Sequence, residues 1–591
     1  MTVDVTRDIL SATSTPRAAQ PVAFDGLFGW FSPGHTRRGV VLCGTLGFEQ
    51  LSAYRAWRAL TEDIATTGCP TLRFDYPGEG DSADTGAGRM VGLVASVRRA
   101  IRYLREEAGV EEIVLVGLRL GATIAALAAQ EGGVDRLVLL APFTTGRAYM
   151  REMQLQARTT LIWPGGVPLQ SKPGTLNIHG FVMSQDLIDD INSIDDHLYR
   201  SLNVSDILIV DKILSGSLSK LFRSNIDLKN EIFSDFSKLL SGEMNFKSVS
   251  DVVGIFRGLN RIVAKFCTGG VDYRNKKFSI EHSLSHIAGI GWREETIFFG
   301  DGLFGIVCKS TARSVKKCSV IFINSGTYVR SGPSRYTTRL ARELAAWGVT
   351  SFRIDLRGTG DSSDWLDEKP PFYNLNVLKD IKSAIDQMDF HGKLPIIIFG
   401  SCSGAYLAFH ATCEDSRISD AILINLYCFD WPSDQRFEEV IDRPTVRSTA
   451  IYARSLRNVN TWRRLLAGNI SVYSITTGMI KYYLRSILKR WTISIISPNI
   501  GSSAIERVGR VRCRGGCFMF VYSAEDPALI NIIGELGLSL KNLRRELRST
   551  IEIVERCDHN FSTPESQDFA AAVLTKSIER RTHGDCDKKN P

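Results

Sequence analysis

The sequence lacks several features that mark whole classes of protein. Its 12 cysteines form no Cys-x-x-Cys pair and no Cys/His spacing typical of zinc sites, so we expect reduced thiols and no metal. The net charge of +8 comes without a long basic run or a nucleic-acid-binding motif, and it is interpreted as solvated surface. We therefore expect no nucleic-acid partner, and no cofactor is implied.

The sequence also has no uninterrupted apolar segment long enough to span a membrane. The longest apolar stretch, residues 394–411, is broken by two glycines and two serines, a pattern typical of a strand, a turn and a helix. Residues 1–20 have no apolar core of the signal-peptide type and are interpreted as a disordered tail. We expect a cytoplasmic protein without a membrane span, and the sequence leaves its oligomeric state open.

What the sequence does contain is an internal repeat. Asp25-Gly-Leu-Phe-Gly29 recurs as Asp301-Gly-Leu-Phe-Gly305. Each copy continues with an apolar strand, a glycine-containing turn, a helix and a second strand that ends in the pattern Asp-x-x-Gly-x-Gly-Asp-Ser, at residues 75–82 and 355–362. Strands that alternate with helices predict an α/β protein with a mostly parallel sheet, flanked by helices, in each copy.

The repeat sets the predicted domain organisation. We divide the chain after the tail into a first domain at 21–275, a second domain at 276–575 and a flexible C-terminal tail at 576–591. In the second domain, one connection is longer than most loops and rich in aromatic residues and arginine. We interpret this connection, about residues 430–510, as a helical cap that shapes an acyl pocket.

The turn after the third strand of the second copy carries a candidate nucleophile. The two glycines of Gly400-Ser-Cys-Ser-Gly404 leave room for a strained strand-to-helix turn. Cys402 would then lie at the carboxyl edge of the sheet and at a helix N-terminus, where the dipole favours a thiolate. We expect oxyanion donors at Ser403 and in the turn at Gly326 and Thr327. The alternative is a buried cysteine without a catalytic role.

Two more residues complete a candidate triad with Cys402. Asp526 follows a strand-like segment and is the preferred acid, with Glu525 and Asp430 as rivals. His559 follows the next strand-like segment and has little competition from other histidines nearby in the sequence. The order nucleophile, acid, histidine is the one that a strand-to-helix elbow predicts. The alternative for His559 is a surface histidine.

Both copies resemble the α/β-hydrolase superfamily in its serine-aminopeptidase-like (S33) branch. More closely, they resemble the pair of α/β hydrolases found with exosortase-type exopolysaccharide systems. One of that pair has a cysteine in its elbow, as at Cys402, and the other has an arginine, as in Gly117-Leu-Arg-Leu-Gly121. The resemblance covers most of residues 20–160 and 295–570. It implies two tandem α/β-hydrolase-type domains and acyl transfer from an ester or thioester substrate, free or carrier-bound.

The first copy departs from the catalytic pattern. Arg119 occupies the position of the nucleophile, and a guanidinium stays protonated and cannot attack a carbonyl. No histidine follows the strand-like segment 207–211 until His282. We therefore predict a pseudo-hydrolase in which Arg119 has a packing role. The alternative is recognition of an anion by Arg119 at the helix N-terminus.

These observations predict an enzyme. The leading hypothesis is an esterase or thioesterase that forms an acyl-enzyme at Cys402 in the second domain. One alternative is an acyltransferase that moves the acyl group to an alcohol or amine in polysaccharide or natural-product biosynthesis. An alternative of another class is a non-catalytic binding or assembly protein. The acyl chain and the acceptor are not determined by the sequence.

Overall fold

The computed structural model describes residues 19–583 apart from several segments. The segments outside the description are 85–87, 159–172, 214–218, 223–225, 242–248, 271–285, 313–315, 317, 327, 366–371, 391–393, 432–499, 525, 537–539, 548 and 556. Thr327, Glu525 and most of the predicted cap therefore lie outside the described residues. In the described part of the chain, no helix is both long and apolar enough to cross a membrane.

The chain divides into two compact units. The first comprises Met1–Met150 and Asp186–Ile287, and the second comprises Arg151–Gln185 and Ala288–Pro591. The predicted boundary at residue 275 falls shortly before this division. The excursion Arg151–Gln185, which belongs to the second unit, was not predicted because it matches neither copy of the repeat.

The secondary structure alternates strands and helices in both units. The strands are β1 (Gln20–Phe24), β2 (Leu27–Ser32), β3 (Arg38–Cys43), β4 (Thr71–Phe74), β5 (Glu112–Leu118), β6 (Arg136–Leu140), β7 (Thr175–Ile178), β8 (Phe181–Ser184), β9 (Asp206–Asp211), β10 (Asp227–Ile232), β11 (His286–Gly289), β12 (Trp292–Phe299), β13 (Leu303–Ser310), β14 (Ser319–Phe322), β15 (Thr350–Asp355), β16 (Ile396–Ser401), β17 (Ile418–Ile424), β18 (Cys517–Ser523) and β19 (Thr550–Val554). The helices are α1 (Gly47–Thr66), α2 (Met90–Glu107), α3 (Leu120–Gln130), α4 (Gly146–Arg158), α5 (Gln185–Asn192), α6 (His197–Arg200), α7 (Phe236–Leu240), α8 (Val249–Thr268), α9 (Tyr336–Ala346), α10 (Leu378–Phe390), α11 (Ser403–Glu414), α12 (Ile500–Cys513), α13 (Pro527–Leu536), α14 (Leu540–Leu547) and α15 (Pro564–His583).

Each unit contains one large mixed sheet. The strand order is β1-β2-β4-β3-β5-β6-β9-β10 in the first unit and β11-β12-β13-β15-β14-β16-β17-β18-β19 in the second. In the first sheet, β3, β4, β5, β6, β9 and β10 pair in parallel, and in the second sheet β14 to β19 pair in parallel. The pairs β1–β2, β2–β4, β12–β13 and β13–β15 are antiparallel. The α/β class predicted from the sequence is confirmed, with antiparallel strands at one edge of each sheet.

The central strands are buried because their residues are apolar on both faces. The five residues Ile396–Gly400 of β16 are all buried, as parallel strands covered by helices on both sides require. Glycines let the next helix approach the neighbouring strand end. A Cβ at Gly404 would lie 2.4 Å from Asn324 O, and one at Gly121 would lie 2.1 Å from Gly44 O. Small residues in both elbows therefore serve close packing as well as the turn.

The C-terminal helix extends further than predicted. The tail was predicted to begin at residue 576, but α15 continues to His583. Its last turns are held because Arg580 and Arg581 both bind the buried carboxylate of Asp420, at 2.9 and 2.6 Å. Ile578 of the same helix lies in the apolar core of the second unit. Charge pairs and burial thus hold residues 576–583 in a helix, although their charged sequence is similar to that of a tail.

The excursion Arg151–Gln185 carries a hairpin, β7–β8, that packs within the second unit. Gly180, in the turn of this hairpin, has φ +96°, and its N–H donates to Asn177 Oδ1 at 2.8 Å. A Cβ at Gly180 would lie 2.5 Å from Ser562 Cβ and 2.6 Å from Ser334 Oγ. The hairpin therefore contacts the loop that also contains His559.

Candidate active site

Cys402 lies in a strained turn between β16 and α11. Its φ and ψ are 52° and −121°, a backbone conformation that a cysteine rarely adopts. The turn is held by a hydrogen bond from Cys402 N–H to Ile424 O at 2.9 Å, and a Cβ at Gly400 would lie 2.4 Å from Gly404 O. This is the geometry that exposes a nucleophile at the carboxyl edge of an α/β sheet.

His559 and Asp526 are joined by a short hydrogen bond. His559 Nδ1 lies 2.6 Å from Asp526 Oδ2, and both side chains are buried. Asp526 Oδ1 also accepts the N–H of Ala528 at 2.8 Å, which fixes the carboxylate. The loop that carries His559 is tied to β18 through Asn425, whose Nδ2 donates to His559 O at 2.7 Å and to Ser523 Oγ at 3.1 Å. Asp526 thus orients the imidazole, while Asn425 holds the backbone of His559 in place.

The imidazole of His559 interacts with Cys402 as well as Asp526. Burial lowers the pKa of His559, but the charges of Asp526 and Cys402, and side-chain hydrogen bonds to both, raise it to about 10. These interactions stabilise the protonated form of the imidazole. A thiolate paired with a protonated histidine is the reactive form of a cysteine nucleophile.

Asp430, one of the two rival acids, does not take the place of Asp526. Asp430 pairs instead with Arg507, whose Nη2 lies 2.6 Å from Asp430 Oδ2. Glu525 lies outside the described residues. Among the predicted site residues, the structure therefore brings Cys402, His559 and Asp526 together and leaves Asp430 apart from them.

The predicted oxyanion donors differ in what they contact. Ser403 begins α11, and the first N–H groups of a helix have no acceptor within that helix. Gly326 N–H, by contrast, donates to Ser403 Oγ at 2.8 Å. This hydrogen bond ties the turn after β14 to the elbow but occupies the donor that was expected to face an oxyanion. Thr327 lies outside the described residues.

A buried ion network supports the turn that carries Gly326. Arg330 Nη1 lies 2.6 Å from Asp355 Oδ2 and 2.8 Å from Asp361 Oδ2, and all three side chains are nearly inaccessible. Arg330 N–H also donates to Asp355 Oδ1 at 2.7 Å. Asp355 and Asp361 are the two acids of the repeated Asp-x-x-Gly-x-Gly-Asp-Ser pattern. The pattern was recognised in the sequence, but its arginine partner was not.

Tyr373 was missed by the sequence analysis. Its hydroxyl oxygen lies 3.6 Å from Cys402 Sγ, and its ring stacks on Trp431 with centroids 4.2 Å apart. One feature of the sequence could have indicated this segment: the connection after the Asp-x-x-Gly-x-Gly-Asp-Ser pattern is longer in the second copy than in the first. Helix α2 begins eight positions after Ser82, at Met90, whereas α10 begins sixteen positions after Ser362, at Leu378.

Arg119 takes the same backbone conformation as Cys402, with φ 54° and ψ −117°. Its Nε lies 3.0 Å from Glu49 Oε1, and its guanidinium lies over the ring of Tyr149 at 5.3 Å. The other oxygen of Glu49 accepts from Tyr149 Oη at 3.1 Å and from Thr45 Oγ1 at 3.0 Å. The charge of Arg119 is balanced by a buried carboxylate of its own unit, which favours the packing role over anion recognition.

Metal ligation has no support in the described residues, where no group of three or more His, Cys, Asp and Glu side chains could hold an ion. The cysteines in this part of the chain are free, and most are buried, although Cys513 is exposed.

Comparison with known proteins assigns the fold of the second elbow region. Residues 320–463 match the family model described as alpha/beta hydrolase fold. No curated protein matches the chain. Similar solved structures include Est1E from Butyrivibrio proteoclasticus with bound ferulic acid, at 18% identity and TM-score 0.28 over 38% of this chain and 97% of that one.

Two further solved structures are similar to the chain. An esterase from Pyrococcus furiosus has 12% identity and TM-score 0.30 over 49% of this chain and 91% of that one. XC6422 from Xanthomonas campestris, described as an a/b serine hydrolase without lid, has 13% identity and TM-score 0.28 over 51% of this chain and 99% of that one. The α/β-hydrolase fold is therefore assigned from the family match to residues 320–463, which include Cys402.

Proposed function

We propose that the second unit is a hydrolase that acts on ester or thioester acyl groups through a cysteine acyl-enzyme. The observation that carries this proposal is the interaction of Cys402 with the imidazole of His559, which is itself hydrogen-bonded to Asp526. The strained turn alone does not carry it, because Arg119 has the same backbone conformation without a nucleophile. In this proposal the chain is a tandem of two α/β-hydrolase-type domains, and the first is a pseudo-hydrolase.

The proposed reaction begins with attack of the Cys402 sulfur on the acyl carbonyl carbon. The carbonyl π electrons move to oxygen, and Ser403 N–H stabilises the resulting oxyanion. The oxyanion then collapses, the bond to the leaving group breaks, and the imidazolium of His559 gives its proton to the leaving oxygen or sulfur. The acyl group is now a thioester of Cys402.

Hydrolysis completes the cycle. His559, now neutral, takes a proton from water as the water oxygen attacks the thioester, and the carboxylic acid departs as the C–S bond breaks. The sulfur regains its electron pair beside the imidazolium, which restores the resting state. Asp526 stays ionised throughout and holds the imidazole in the required orientation.

Acyl transfer is the second candidate function, and the burial of Cys402 favours it. The side chain is only 7% exposed, so water has limited access to an acyl group attached there. In this reaction an alcohol or amine replaces water in the second step, and His559 takes the proton of that acceptor. Both functions share the same acyl-enzyme, so the balance between them depends on the acceptor.

The proposal is tested by turnover of a panel of acyl thioesters and activated esters, with alcohols and amines as added acceptors. We expect Cys402→Ala to lose turnover by a factor on the order of 10³ or more, because the variant lacks the sulfur that forms the acyl-enzyme. Cys513→Ser is the matched control, since it removes an exposed thiol elsewhere in the same unit. Near wild-type turnover in Cys402→Ala would end the proposal.

A further inference from the structure

The phenol of Tyr373 is adjacent to the candidate nucleophile but has no role in the triad. Its Oη lies 3.6 Å from Cys402 Sγ, which is hydrogen-bonding range for sulfur, and the side chain is buried. The backbone of Tyr373 has φ +57°. This left-handed conformation costs a bulky residue about 1 kcal/mol or more and persists only where the surroundings hold it.

Aromatic packing fixes the position of this phenol. The Tyr373 ring stacks on Trp431 at an interplanar angle of 20°, and it packs against Tyr406 with centroids 5.2 Å apart. The segment that carries Tyr373 is the one that is longer in the second copy of the repeat than in the first. The added length therefore occurs in the unit with the cysteine and brings a hydroxyl to its sulfur.

The candidate active site needs a further hydrogen-bond donor, a role that the phenol of Tyr373 can fill. Acyl transfer generally needs two donors for the oxyanion, and Gly326 N–H is already donated to Ser403 Oγ. Burial, followed by the charge of Cys402, raises the pKa of Tyr373 well above its usual value. The phenol thus keeps its proton at neutral pH and can act only as a hydrogen-bond donor toward a negative charge.

We propose that Tyr373 is a catalytic hydrogen-bond donor whose O–H stabilises first the Cys402 thiolate and then the oxyanion of the acyl intermediate. During attack, the negative charge moves from sulfur to the carbonyl oxygen, two bonds away, and the same O–H follows it. The phenol transfers no proton, because His559 supplies the one that the leaving group needs. The second half of this proposal rests on the proposed function of Cys402.

The contact with sulfur can be tested without any substrate. The rate of iodoacetamide alkylation at Cys402, followed by peptide mass as a function of pH, reports the thiolate directly. In Tyr373→Phe we expect the midpoint of this profile to move upward by about one pH unit, because a charge-assisted hydrogen bond is lost. Tyr406→Phe, which removes a phenol from the same aromatic cluster, should leave the midpoint in place. An unchanged midpoint in Tyr373→Phe would overturn the proposal.

The role in catalysis is tested by turnover of the same variants. We expect Tyr373→Phe to lower kcat by ~10- to 100-fold with little change in KM, because the phenol donates to the thiolate and to the developing oxyanion and not to the bound substrate. Unchanged kcat would refute the oxyanion role. A shifted alkylation profile in a protein whose wild type turns over no ester or thioester would support the Tyr373–Cys402 contact and refute the proposed function.

A second variant covers the case in which Tyr373→Phe fails to fold. Replacing Tyr373 with 3,5-difluorotyrosine keeps the ring and its stacking but makes the phenol a stronger donor. We expect the alkylation midpoint of Cys402 to move to lower pH in this protein. A midpoint equal to that of the wild type would contradict a donor role for the phenol.

Discussion

The two elbows of this chain share a backbone and differ in chemistry. Cys402 and Arg119 have φ and ψ within a few degrees of each other, each between a buried strand and a helix. The cysteine faces an imidazole that is oriented by a carboxylate, whereas the arginine is neutralised by Glu49. The comparison teaches that the strained turn is a property of the fold. What can be done at the turn depends on the charges that surround it.

After Cys402→Ala, the largest expected effect on the second elbow is that of Asp526→Asn, which tests whether the carboxylate makes this elbow differ from the first. The change removes the larger of the two charges that raise the pKa of His559, the other being that of Cys402, so the pKa should fall from about 10. We expect kcat/KM to fall about 10²- to 10⁴-fold, because the imidazole loses its orientation and a charge that stabilises its protonated form. The alkaline limb of the pH profile of kcat/KM reports loss of the proton that the leaving group needs. This limb should move to lower pH in the variant.

The measurement is a pH profile of kcat/KM for wild type and variant. Asp430→Asn is the matched control, because Asp430 pairs with Arg507 rather than with His559. An alkaline limb that does not move in Asp526→Asn would contradict the assignment of Asp526 as the partner of His559.

Arg119→Gln tests the other half of the comparison, the charge pair of the first elbow. The substitution leaves Glu49 buried without its positive partner, which costs about 3–5 kcal/mol in comparable buried pairs. We expect the urea midpoint for unfolding of the first unit to fall, while kcat and KM of the protein stay the same. The double change Arg119→Leu with Glu49→Leu should recover most of the lost stability, because it removes both charges.

The anion-binding alternative predicts a different result for the same protein. If Arg119 recognises an anionic group of the substrate, Arg119→Gln should raise KM about tenfold or more with kcat kept. A raised KM in a protein of unchanged stability would therefore overturn the packing role.

The smallest expected effect concerns the hairpin β7–β8, which packs on the loop that carries His559. Gly180→Ala would place a methyl group 2.5 Å from Ser562 Cβ, so either the hairpin or the loop must shift. We expect a loss of about 1–3 kcal/mol in stability, measured by urea denaturation, with a modest decrease in kcat. Gly174→Ala is the control, since it has a similar positive φ but no atom closer than 3.9 Å. Equal effects of both substitutions would show that backbone strain alone is responsible.

Much of the fold and the order of the candidate site could be predicted because they depend on local patterns. Apolar runs, repeated turns and spaced glycines give the strands and the elbow, and the residues after the last strands give Asp526 and His559. The assignment of these residues to catalysis remains a prediction. The α/β fold of the region around Cys402 is supported by a family match over residues 320–463.

The remaining features depend on contacts between residues far apart in the sequence. Glu49 meets Arg119 across 70 positions, and Tyr373, whose backbone is in a left-handed conformation, contacts Cys402 across 29. The use of Gly326 N–H by a serine side chain follows from the packing of one turn on another. A pattern of residue types contains none of this information, so the sequence could not predict it.

The central claim is that only the second elbow forms a covalent intermediate. The most direct measurement is intact mass after brief incubation with acyl thioesters, followed by peptide mapping of the adduct in wild type and Cys402→Ala. The account predicts one acyl group per chain, attached to Cys402 and absent from the variant. An adduct that persists in Cys402→Ala, or one that maps to residues of the first unit, would contradict it.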